Sequence, residues 1–119
     1  MDIQYFLDKA NKAFDPTIFE HGQCHTFALA LKMLFGGQLF AIMRHDAESD
    51  VEWYSHMVVE VNDDSFDING HDAEESWCAR FSEEDDFDFN LVELEHLDDF
   101  LQKWKCSIDY SLLDKLLNL

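Results

Sequence analysis

Three side chains in this sequence have the types and order that nucleophilic thiol chemistry uses: Cys24, His56 and Asp67. Cys24 stands in Gly22-Gln23-Cys24-His25-Thr26-Phe27 and opens an apolar stripe of helical period. His56 begins the Val-rich run His56-Met57-Val58-Val59-Glu60-Val61, and Asp67 follows in Phe66-Asp67-Ile68-Asn69-Gly70. Only a thiolate attacks well, and a free cysteine has a pKa of about 8.5, so at neutral pH the sulfur needs help. The positive end of a helix and a neighbouring imidazolium both lower that value. A carboxylate or amide behind His56 would fix its tautomer and favour its charged form, a place open to Asp67 or Asn69. Amides in the first helical turn, with Gln23 as a side-chain helper, suit a developing oxyanion. Gly22 has no side chain to obstruct the approach to the sulfur.

These residues need elements to hold them. Ile3, Phe6, Leu7, Ala10, Ala13 and Phe14 fall at helical spacing, which predicts a helix over 2–14 with Asp2 placed to cap it. Asp15-Pro16 ends that helix, because proline disfavours the α region in the residue before it. After a short connection over 17–23, Cys24, Phe27, Ala28, Leu31 and Phe35 predict a second helix over 24–35, stopped by Gly36-Gly37. The apolar run in 38–44 suits a strand covered on both faces, and 53–61 reads as the next strand. A two-residue turn at Asp63-Asp64 would pair Val61 with Phe66 and Glu60 with Asp67. His56, Val58, Glu60, Asp67 and Asn69 would then share one face, opposite an apolar layer of Met57, Val59, Val61, Phe66 and Ile68. A short helix over 72–81, an acidic connection over 82–88, an edge strand over 87–94 and helices over 97–104 and 111–117 complete the reading. The order is that of an α+β protein with a small antiparallel sheet packed against N-terminal helices.

Composition bounds what surrounds this core. The 119 residues predict one domain, and 47% hydrophobic residues with 11 Phe supply enough apolar surface to order it. No apolar run approaches the roughly 20 residues of a membrane span. Asp2 and Asp8 interrupt the N-terminus, and three cysteines without framework spacing fit a reducing compartment, so a cytoplasmic setting is expected. The formal net charge is -18, from 26 acidic and 8 basic residues. Such a surface repels phosphate backbones and argues against direct nucleic-acid binding. It is either a solvated face or a surface for a basic protein partner.

Cys24 also has a plainer reading, as a core cysteine on an apolar stripe. Asp67 has one too, as the solvent-side residue of an alternating strand. A zinc site from His21, Cys24 and His25 with His45 or His56 lacks any Cys-x-x-Cys or His-x-x-x-His pair, so no metal is expected. Cys78 and Cys106 read as structural, and nothing implies a cofactor.

Gly22-Gln23-Cys24-His25 opening a helix, His56 on a Val-rich strand, and Phe66-Asp67-Ile68-Asn69-Gly70 together resemble the papain-like cysteine superfamily. Within it, the order Cys, His, Asp is similar to the transglutaminase and arylamine N-acetyltransferase branch and to small papain-fold toxin and effector domains. The resemblance covers roughly residues 20–77. It implies acyl transfer through a thioester at Cys24, with His56 as base and then acid and Asp67 as its orienter. The expected activity is that of a cysteine hydrolase or acyltransferase on a peptide, amide or protein side chain. The competing expectation is a non-catalytic acidic inhibitor, nucleic-acid mimic or immunity-type adaptor that binds a basic protein.

Overall fold

The computed structural model describes residues 2–46, 48–81 and 87–119. Most of the acidic connection expected over 82–88 lies outside them. The chain is an α+β arrangement in which helices pack on a four-stranded antiparallel sheet. In chain order the elements are α1 (Ile3–Ala13), α2 (Thr17–Glu20), α3 (Cys24–Phe35), β1 (Gln38–Asp46), β2 (Val51–Val61), β3 (Asp64–Phe66), α4 (Ala73–Phe81), β4 (Phe87–Leu94), α5 (Leu97–Lys103) and α6 (Tyr110–Leu117). The sheet order is β3-β2-β1-β4, so β4 is the edge strand its sequence suggested. Among the described residues no helix is long and apolar enough to cross a membrane.

Asp2 caps α1 by accepting the amide of Tyr5 at 2.7 Å. That anchors the turn from which Phe6, Leu7 and Ala10 enter the core. The four-residue α2 falls in the stretch read as a connection. Pro16 starts it and Asp15 accepts the Thr17 amide, a local hydrogen-bonding solution too short to leave a periodic signal. Helix α3 is the centre of the large core. Phe27 lies 4.7 Å from Phe19 and 5.9 Å from Phe6, ring centroid to centroid, and Leu31 is fully buried beside them. Each such side chain contributes about 1.5–3 kcal/mol by leaving water. Gly37 lies directly against the backbone of β2. It has φ +93°, and a Cβ there would run into the Glu60 carbonyl, so only glycine fits.

The hairpin between β2 and β3 corrects the expected register. Its turn lies one residue earlier, at Asn62-Asp63, both with positive φ (52° and 65°), as a type I′ turn demands. Val61 therefore pairs with Asp64, Glu60 with Ser65 and Val59 with Phe66, rather than Val61 with Phe66. The shift moves the pairing by an even number of residues, so every side chain keeps its face. Met57, Val59, Val61, Phe66 and Ile68 all join the large core. The chain leaves the ladder after Phe66 and closes a tight turn in which Asp67 bridges Gly70.

A second irregularity matters more. Strand β1 pairs Ile42 with His56 but Met43 with Tyr54, so Ser55 is an extra residue, a β-bulge. Without it, Tyr54 and His56 would point to the same face. With it, Tyr54 packs against the large core, whereas His56 belongs to the opposite face, beside Val58 and Trp77.

Candidate functional site

Cys24 is the first residue of α3 and is 6% exposed, packed in the large core yet lining a cavity of about 410 Å³. Gly22 (φ +116°), Glu20, Tyr54, Ser55, Trp77 and Cys106 form much of the remaining wall. The helix has no side-chain cap, because the Oε1 of the N-cap residue Gln23 accepts from the Thr26 hydroxyl at 2.6 Å instead. Its first-turn amides therefore keep their partial positive charge at the end of the helix where Cys24 stands.

His56 is fully buried on β2 and Asp67 is 5% exposed just past β3. His56 Nε2 donates to Asp67 Oδ2 at 2.9 Å. The other carboxylate oxygen, Oδ1, accepts the Asn69 amide at 2.8 Å, which fixes the carboxylate plane. Asn69 thus takes part through its backbone. Its side chain is exposed, and the orienting contact to the imidazole is made by Asp67. Gln23, likewise, does not line the cavity. Its amide carbonyl is spent on Thr26 at the turn below the sulfur.

With Nε2 held by Asp67, Nδ1 is the nitrogen left for the Cys24 proton. It is buried and has no hydrogen-bond partner of good geometry among the described residues. At rest the sulfur instead lies 2.9 Å from the Tyr54 hydroxyl. The electrostatics show that the groups still act on one another. Burial pushes the Cys24 thiol up, but hydrogen bonding with His25 and His56, the charge of His56 and the Tyr54 hydroxyl outweigh it and bring the pKa to about 6. Burial pushes His56 down, and the hydrogen bonds and charges of Asp67 and Cys24 overcome this to raise it to about 9. Between those values the two groups form a thiolate and an imidazolium.

Six residues around the site were not read from the sequence as part of it. Trp77 on α4 stacks flat on the His56 ring, with centroids 3.9 Å apart and planes 7° apart. Its Nε1 donates to the hydroxyl of the bulged Ser55 at 3.1 Å. Arg80, one turn further on, lies over the outer part of Trp77 and 3.9 Å from Glu20, tying α4 to α2. His25, weighed only as a possible zinc ligand, is buried. Its Nε2 bonds the Ser107 carbonyl at 2.6 Å, and the thiol draws its pKa upward against the opposing effect of burial. Tyr54 reaches the sulfur only because the bulge rotates it there. Period-2 alternation gives no sign of such a bulge, so the sequence offered no route to Tyr54 or Ser55. Cys106, expected to be merely structural, lines the same cavity as Cys24.

The remaining candidates do not form one cluster. His21 is exposed next to Glu20 at the rim of the Cys24 cavity, whereas His45 bonds Asp50 at 2.8 Å near the far end of the β1–β2 hairpin. Among the described residues, the group of ligand atoms close enough to share an ion is Asp64, His71 and Asp72 on the surface. It contains none of the residues considered for zinc. Chemically, the Cys24 site can generate a nucleophile at neutral pH, store its proton on a carboxylate-held imidazole and receive a ligand from one open side. Compared with known proteins, the chain matches no family model, no curated sequence and no solved structure.

Proposed function

We propose that this chain is a small papain-like cysteine enzyme, a hydrolase or acyltransferase that works on an amide, peptide or glutamine side chain through a thioester. Cys24 gives its proton to His56 Nδ1 and attacks the carbonyl carbon. His56 returns the proton to the leaving amine as the carbon–nitrogen bond breaks. Water or an acceptor amine then attacks the thioester, with His56 as base, and frees Cys24. Asp67 keeps Nε2 protonated and stabilises the imidazolium throughout. One observation carries this reading. A cysteine at an uncapped helix start, facing a cavity, shares its surroundings with a buried imidazole whose far nitrogen is bonded to a buried carboxylate at 2.9 Å. Core packing requires neither the buried charge pair nor the opening to solvent.

Iodoacetamide at about pH 6, followed by peptide mass spectrometry, tests it with the other cysteines as internal controls. Cys24 should react well ahead of Cys78 and Cys106, whose pKa values burial moves upward. Equal labelling of the three would remove the activated thiolate, and the enzyme with it.

The net charge of -18 supports a second reading, an acidic protein that binds a basic protein surface as inhibitor, nucleic-acid mimic or immunity-type adaptor. Cys24→Ala separates the two. It removes function under the first and leaves a salt-sensitive interaction intact under the second.

A further inference from the structure

We propose that Tyr54 is a catalytic residue of the Cys24 site, whose hydroxyl holds the sulfur at rest and then donates to the carbonyl oxygen as it becomes negative. This inference rests on the acyl-transfer reading above and adds a group that reading does not assign. Four observations converge on it. The hydroxyl is 2.9 Å from Sγ, in direct hydrogen-bond contact with the sulfur. The Ser55 bulge exists at the one step of β2 that turns Tyr54 away from the His56 face and toward Cys24. The ring is then held there, edge-on against Phe100 with centroids 5.1 Å apart and planes at 85°. Finally, the residue that sequence reasoning placed in the oxyanion role, Gln23, has no place in the cavity wall, whereas Tyr54 is part of that wall.

The chemistry follows from the position. Burial, and after it the negative charge of Cys24, raise the Tyr54 pKa, so the hydroxyl stays protonated and serves as a donor. When the sulfur–carbon bond forms, the carbonyl π pair moves onto oxygen. That oxygen is joined to the atom the sulfur has just bonded, within swing of a donor that already touches the sulfur. Oxyanion donors work at about 2.7–3.1 Å. When the intermediate collapses, the pair returns to the carbonyl and the carbon–leaving-group bond breaks. The leaving group takes the His56 proton. Tyr54 keeps its own proton at every stage, so nothing else is consumed.

Two reagents separate an oxyanion donor from a simple anchor for the sulfur. Iodoacetamide alkylates by displacement at a saturated carbon and forms no oxyanion, whereas p-nitrophenyl acetate acylates through a tetrahedral one. Rates at Cys24 are compared for the full chain and Tyr54→Phe, each above its own thiolate titration so that ionisation is matched. The expected result is a loss of about 100-fold in acetylation with alkylation nearly unchanged. Fluorotyrosine in place of Tyr54 keeps the hydroxyl and should restore acetylation, which separates loss of the donor from misfolding of the Phe variant. Equal changes in both reactions, or no rescue by fluorotyrosine, would overturn the proposal. A wild-type Cys24 that alkylates readily yet never acetylates would overturn the acyl-transfer reading itself.

Discussion

The two faces of the sheet are built on different scales, and the candidate site draws on both. One face is covered by α3, with α1 and α6 joining the same large core, in which Phe6, Phe19, Phe27, Leu31 and Leu116 are all at or near zero exposure. The other is a thin layer of Ile42, Val58, Ala73 and Trp77, with Phe40, Cys78 and Phe89 packed against it. Cys24 and Tyr54 are tied to the large core, while His56 stacks on Trp77 of the thin layer. The nucleophile is thus positioned by the part of the molecule that sets its stability, and the base by a few side chains that contribute far less to it. Between Val51 and His56, strand β2 has no β3 partner and contains the bulge, so the two faces meet there. A site placed at that seam can be tuned through the thin layer without dismantling the core.

Breaking the charge pair should give the largest effect. His56→Gln leaves Cys24 without its principal charged partner. If the thiol returned from about 6 to an ordinary value, the thiolate fraction near pH 6.5 would fall by about 70-fold. Alkylation kinetics at that pH measure the loss, and His25 should keep it somewhat smaller. Asp67→Asn comes next, because it weakens the imidazolium and leaves the wrong tautomer available. Acetylation of Cys24 should fall by at least about 100-fold while alkylation above pH 8 changes little.

The Asp67 variant also sharpens the comparison through pH. His56 binds its proton more tightly folded than unfolded, so its contribution to stability is complete below about 6.5. That contribution is lost as pH rises through about 9. The Tm gap between wild type and Asp67→Asn should therefore be widest at low pH within the folded range and narrow toward pH 9. Acylation itself should follow a bell, rising as Cys24 deprotonates near pH 6 and falling as His56 loses its proton near pH 9.

A smaller, more diagnostic contrast comes from one packing change on each face. Phe27→Leu in the large core should cost about 1–3 kcal/mol of stability, and leave the Cys24 titration of the folded protein in place. Trp77→Phe should cost no more than that, yet move the Cys24 and His56 titrations, because it loosens the ring stacked on the base and frees Ser55 from the indole. Denaturant unfolding and the pH dependence of alkylation read the two quantities separately. Equal behaviour of both variants would erase the distinction between the faces.

Most of the fold was legible because its elements bury enough residues to impose a period. Helix α3 and the Met57–Val61 face of β2 announce themselves in this way, and Gly36-Gly37 marks the helix end. The hairpin register was not, because Asn62, Asp63 and Asp64 are three turn formers in succession and composition cannot say which two take positive φ. Cys24, His56 and Asp67 could be picked out by type and order, since buried polar residues in apolar segments need partners. The groups that refine the site could not. Tyr54 and Ser55 depend on a bulge that breaks the strand period, and Trp77 carries the same apolar signature whether it fills a core or stacks on an imidazole. His25 looks like any helix residue until the 104–109 segment is brought against it through Ser107.

The central claim is that Cys24 and His56 form a charged pair across the seam of the sheet. Ultraviolet absorbance of the thiolate, followed against pH as the difference between wild type and Cys24→Ala, tests it most directly. The account predicts a midpoint near 6 that moves upward by more than a unit in His56→Gln. A midpoint at the ordinary thiol value of about 8.5, unmoved by that substitution, would contradict it.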